Sequence, residues 1–204
     1  MKDVYVIFSS TPYKMGRFIR FFTGGYFNHV SIMFDTNMSE AYTFGRKYID
    51  TAFFGGMIKD SDSRYSKDGT TSKVSVCKIS VDDEKYQQAL NQAKNMYENK
   101  EDYVYNLFSA FVSIFGKRLF IKDAFTCVEF CTYILSIMTD KIEKNGFYSV
   151  AGLYEKFEEF SIYKGEFNIT GEEDVVFKTR QGAKAAFKGA VLNISELIRR
   201  MKKS

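Results

Sequence analysis

The sequence predicts an α+β fold, on three observations. Short apolar, β-branched or aromatic runs crowd its first part, amphipathic segments of helical period fill the rest, and no linker-like tract separates the two. The first strand is Val4-Tyr5-Val6-Ile7-Phe8-Ser9. Residues 14–22, Lys-Met-Gly-Arg-Phe-Ile-Arg-Phe-Phe, predict a short helix stopped by Gly24-Gly25. The run from Asn28 to Phe34 predicts a strand with Val30, Ile32 and Phe34 on one face and His29, Ser31 and Met33 on the other. Residues 39–44, 47–53 and 74–79 are further candidate strands. Residues 55–73 are polar and rich in turn formers, Asp60, Ser61, Asp62, Ser63, Asp68 and Gly69 among them. They predict the longest loop, of a length that is usually functional or mobile.

The helices follow. Residues 83–99 place Tyr86, Leu90, Ala93 and Tyr97 on one face. Residues 103–115 predict a second helix with Leu107, Phe108, Phe111, Val112 and Phe115 as its apolar side. In Thr126-Cys127-Val128-Glu129-Phe130-Cys131, Thr126 and Glu129 have the spacing of a capping box, which puts Cys127 in the first helical turn. Residues 150–160 predict a short helix, 161–167 a strand and 183–203 a helix with a basic end. The division is a domain over 1–170 and a basic helical extension over 171–204, packed on the same domain.

Composition narrows the function. The chain of 204 residues is 45% hydrophobic and 26% charged, an ordinary balance for one folded domain. A net charge of +4 is too small to imply nucleic acid. No apolar run reaches the ~20 residues of a membrane span. The N-terminus lacks the apolar core of a secretory signal, so a cytoplasmic location is expected. There are 21 Phe and 14 Tyr, which predict an aromatic core or an aromatic-walled cleft. Three cysteines form no disulfide framework. A zinc site would need Cys127, Cys131, His29 and a fourth ligand, so no metal or other cofactor is expected.

The chemistry centres on Cys127. A helix N-terminus and a nearby imidazole both favour the thiolate, the reactive form of a cysteine. The free amides of the first turn supply donors to an oxyanion. His29 is the only histidine, and a cysteine nucleophile needs a base beside it. A third polar group should hold the imidazole. Glu40 is the favoured candidate because it opens the strand after the His strand; Asn28, Asp35 and Asp102 are alternatives. Cys77 and Cys131 sit in apolar surroundings and are expected to be inert.

His29-Val30-Ser31-Ile32, then Glu40-Ala41, then Thr126-Cys127-Val128-Glu129-Phe130 at a helix start together resemble the circularly permuted NlpC-type papain-like superfamily. Its YiiX-like members match best, and lecithin:retinol acyltransferase-like proteins are relatives. In the permuted branch the histidine precedes the cysteine, as here. The resemblance runs from about Val4 to Phe167. It implies a papain-like fold whose nucleophile helix packs on a central antiparallel sheet, with Cys127 as nucleophile, His29 as base and Glu40 as third residue. Val128 departs from the small polar residue often found after the nucleophile. The implied reaction is amide hydrolysis through a Cys127 acyl-enzyme, on a cell-wall-type peptide fragment or an acylated small molecule. Two alternatives are a lipid acyltransferase or esterase using the same residues, and a non-catalytic binding module of the same fold.

Overall fold

A computed structural model of the protein describes residues 1–11, 25–48, 53–67, 70–143, 146–168 and 183–202. It is an α+β structure built on a six-stranded, wholly antiparallel sheet. The strands are β1 (Lys2–Ser10), β2 (His29–Met33), β3 (Ala41–Arg46), β4 (Gly55–Lys59), β5 (Lys73–Val81) and β6 (Ser161–Glu166), in the spatial order β6-β5-β1-β2-β3-β4. The helices are α1 (Asp83–Glu98), α2 (Leu107–Val112), α3 (Cys127–Met138), α4 (Val150–Phe157) and α5 (Ala183–Met201). No described helix is long and apolar enough to cross a membrane.

The period of two sorts the sheet residues into two layers. Val4, Val6, Phe8, Val30, Ile32, Tyr42 and Phe44 face the helices, meeting Ala89, Ala93 and Met96 of α1, Phe130, Ile134 and Leu135 of α3, and Leu153 and Phe157 of α4. Ile7, Met33, Ala41, Val74 and Val76 face the other way, under Met38, Tyr65 and Phe167. Tyr65 and Phe167 stack there with ring centroids 4.1 Å apart. Helix α3 is apolar nearly all round and correspondingly buried on nearly every side, as the innermost helix must be.

Three sequence expectations need correction or fall outside the description. The edge strand is Gly55–Lys59, inside the segment expected to be a loop, rather than 47–53, of which 49–52 lie outside the described residues. Its glycines mark close approach, not a turn: a Cβ on Gly55 would stand 2.6 Å from the Gly45 carbonyl oxygen and 2.9 Å from Tyr105 Cβ. The helix expected over 103–115 starts only at Leu107, capped by the Asn106 side chain. Val104–Tyr105 are taken instead by a short parallel pairing with Ala124–Phe125. Phe111 and Phe115 of that segment are 64% and 68% exposed, not core. The helix expected over 14–22 lies outside the described residues.

Phe130 joins α3 to the sheet, with its ring 5.5 Å from that of Phe44. Phe130→Ala should lower the urea unfolding free energy by about 3–5 kcal/mol. Phe111→Ala should change it by no more than about 0.5 kcal/mol. Equal losses would refute the layer assignment.

Candidate active site

Thr126 is the N-cap of α3, and the capping box is complete. The Thr126 hydroxyl accepts from Glu129 N at 3.2 Å, and Glu129 Oε2 accepts from Thr126 N at 2.7 Å. Glu129 Oε1 accepts from the Ser109 hydroxyl at 2.6 Å and from Arg118 Nε at 3.0 Å. The carboxylate beside Cys127 is thus turned onto the cap and paired with Arg118. Phe130 N already bonds Thr126 O. The amides of Cys127 and Val128 are the first-turn donors that the helix itself leaves over.

His29 opens β2. Its place is set by β1, opposite Ser9, and by Asn28, whose amide nitrogen bonds Ser9 O at 3.0 Å and whose side chain bonds Thr11. The imidazole is met from both layers. Cys127 reaches it from the helical layer. From the other comes Asp60, whose Oδ2 lies 3.4 Å from His29 Nε2.

Asp60 is almost fully buried and held on every side. Tyr65 donates its hydroxyl to Oδ2 at 2.6 Å, Ser61 N donates to Oδ1 at 3.1 Å, and Arg64 Nε lies 3.7 Å from Oδ1. Ser31 and Tyr65 hydroxyls are 3.1 Å apart, extending the chain under β2. Burial pushes the Asp60 carboxyl up, but His29, Arg64 and Tyr65 outweigh it and hold it below its usual range. Burial pushes the His29 imidazole down; hydrogen bonding to Asp60 and Cys127 outweighs that and raises it to about 9. The imidazole is therefore a cation at neutral pH.

Glu40, the expected third residue, is not at His29. A hairpin pairs the start of its second strand with the end of its first: Tyr42 faces Ile32 and Ala41 faces Met33, while Phe34 N bonds Glu40 O. Glu40 is thereby displaced along the strand by the five positions from 29 to 34, roughly 16 Å. Its carboxylate is engaged by Tyr42, by Lys94 at 3.1 Å and by Lys59 at 3.8 Å. Asn28 is tied to Thr11, and Asp35 caps the turn at Glu40 N. Asp102 lies in the turn after α1. Asp60 was hidden in the sequence by its polar, turn-rich neighbourhood, and only the register of β4 brings it to the sheet. The two other cysteines are buried. Burial raises Cys77 to about 11, and burial followed by Cys127 raises Cys131 well above a free thiol. Cys131 Sγ rests on Val30 O at 3.6 Å.

Cys127 opens on a cleft that encloses about 80 Å³. Its walls include Phe27, Val128, Phe147 and Ala151 on the apolar side and Tyr105, Arg118 and Thr132 on the polar side. Burial, then the proximity of Cys127, raises the Tyr105 hydroxyl, so it remains a phenol donor.

The histidine proton carries a testable stability signature. An unfolded histidine titrates near 6.5. The folded value is higher, so the stabilisation is complete below about 6.5 and is lost as pH rises to about 9. The stability gap between wild type and His29→Phe should shrink by about 3 kcal/mol across that window. In an Asp60→Asn background it should hardly move, while Glu40→Gln should leave it intact. A flat gap in wild type would overturn the ion pair.

Comparison of the chain with protein-family models, with curated proteins and with solved structures finds no match, so the reading of the site rests on its own geometry.

Proposed function

We propose that the protein is a cysteine hydrolase of the permuted papain-like kind, cutting an amide bond through a Cys127 acyl-enzyme. One observation carries this reading: a cysteine at a capped helix N-terminus touches an imidazole that a buried aspartate holds from behind. Asp60 takes the role first expected of Glu40. With Nε2 turned to Asp60, Nδ1 is the nitrogen left to exchange a proton with Cys127. The thiolate is the attacking form of the cysteine, and the imidazole is the group that holds the proton. The attacked carbonyl oxygen gains charge and draws on the Cys127 and Val128 amides, with the Tyr105 hydroxyl as a further donor. His29 then gives its proton to the leaving amine. The thioester left on Sγ is cleaved by water, which passes a proton to the imidazole as it attacks; the carboxylic acid product leaves and the pair is restored.

The second reading, acyl transfer or ester hydrolysis with the same residues, is favoured by the apolar cleft wall of Phe27, Val128, Phe147 and Ala151. The two share the acyl-enzyme and differ in what resolves it. A substrate of acylated peptide and ester probes, followed by mass mapping, separates them: water alone as acceptor gives acid, whereas an added amine or alcohol diverted to product marks transfer.

Iodoacetamide at mildly acidic pH should label Cys127 first. His29→Ala should slow that labelling by about five- to thirtyfold, taking the cost of one lost charge partner as about 1–2 kcal/mol. Cys131→Ala should leave the rate of Cys127 within about twofold, because its thiol is not part of the pair. Preferential labelling of Cys77 or Cys131, or indifference to His29, would defeat the proposal.

A further inference from the structure

The chain leaves two apolar groups in solvent that the site chemistry does not use. The first is on the segment from α2 to Asp123, where Phe111, Phe115 and Phe120 are 64%, 68% and 70% exposed. The second is on α5. Phe187, Val191, Ile194, Ile198 and Met201 fall at i, i+4, i+7, i+11 and i+14, one stripe of the helix, and all are exposed. The face of α5 flanking that stripe is the docked one. Leu197 is buried with Ile121 and Ala124 against Leu107, Phe108 and Leu119, and Asn193 Nδ2 donates to Tyr105 O at 3.1 Å. Arg200 Nη1 donates to the carbonyls of Lys122 and Asp123 at 3.3 and 3.2 Å. The end of α5 therefore lies against the phenylalanine-bearing segment.

Charge selects what they meet. Residues 107–123 and 183–202 hold eight basic and two acidic residues. Both acids are paired: Glu196 with Arg199 at 2.5 Å and Arg200 at 2.8 Å, and Asp123 with Arg200 at 3.9 Å. Lys117, Lys122, Lys188 and Lys202 are exposed among or beside the phenylalanines and the stripe. Aromatic and aliphatic side chains interleaved with cations match the boundary of an anionic bilayer, where the rings enter the acyl edge and the cations meet head groups. A second copy of the chain fits badly, because a two-fold contact would set one basic face on another.

We propose that this combined surface docks the protein on an anionic lipid bilayer. Ala110, Ser113 and Arg118 of the same segment also wall the cleft, so docking brings the cleft mouth to the lipid. The proposal is independent of the chemistry at Cys127.

The test is sedimentation of the full chain with phosphatidylserine-containing vesicles and with pure phosphatidylcholine vesicles. Binding is expected to the first and to weaken with salt. Phe111→Ser/Phe115→Ser/Phe120→Ser and, separately, Lys117→Glu/Lys122→Glu should each lower the partition coefficient on the order of tenfold or more, with unchanged circular dichroism. Cys127→Ala should bind as wild type. Equal partition onto neutral and anionic vesicles, or none onto either, would overturn the proposal. So would a dimer in sedimentation velocity that the serine variant dissociates, since that makes a second copy the occupant.

Discussion

The constraint on which the site depends is the burial of one carboxylate. Asp60 sits under the end of the sheet with almost no access to water, and an ionised carboxylate there is tolerated only if it is paired and hydrogen-bonded. The surroundings supply this in full: Tyr65, Ser61 N, Arg64 and His29. Tyr65 is fixed in turn by stacking on Phe167 and by contact with Ser31. The imidazole is thereby held from the layer of Tyr65 and Phe167, opposite the one that brings Cys127.

The cysteine comes to that imidazole from the opposite layer by a different device. Helix α3 is driven onto the sheet by apolar burial on nearly all sides, which fixes its axis but not where it begins. The capping box fixes the beginning. Glu129 closes it and also draws in Ser109 and Arg118, tying the helix start to α2 and to the cleft wall. One carboxylate thus terminates the helix and aligns the residues that flank the nucleophile.

What was legible in the sequence follows the range of the interactions involved. Thr126 and Glu129 are three residues apart, so the cap and the position of Cys127 could be read locally. The faces of β2 could be read because the pleat alternates with a fixed period, and Val30 and Ile32 do part from Met33 as expected. Asp60 could not be read, because its role depends on which strand forms the sheet edge and in which register. The glycines that suit β4 to close packing against Gly45 and Tyr105 have the same letters as glycines of a turn. Glu40 was misplaced by the same ignorance: adjacency in a hairpin runs backwards along the second strand. The phenylalanines at 111 and 115 show a further limit. Helical period says which residues share a face; it does not say whether that face meets the core or a partner.

The site is joined to that outward face by the backbone. Tyr105 stands in the cleft beside Cys127, and its carbonyl accepts from Asn193 of α5 while its strand pairs with the segment leading into α3. The short pairing of Val104–Tyr105 with Ala124–Phe125 runs directly into Thr126 on one side and Asn106 on the other, the caps of α3 and α2. The exposed side of α2 and the docked end of α5 are therefore tied to the two caps by hydrogen bonds, from the Asn193 side chain and through the short backbone pairing. Since the caps set the position of Cys127 and of the Ser109–Glu129–Arg118 cluster, the surface that carries the exposed phenylalanines and the residues that would perform chemistry are joined through the same set of hydrogen bonds.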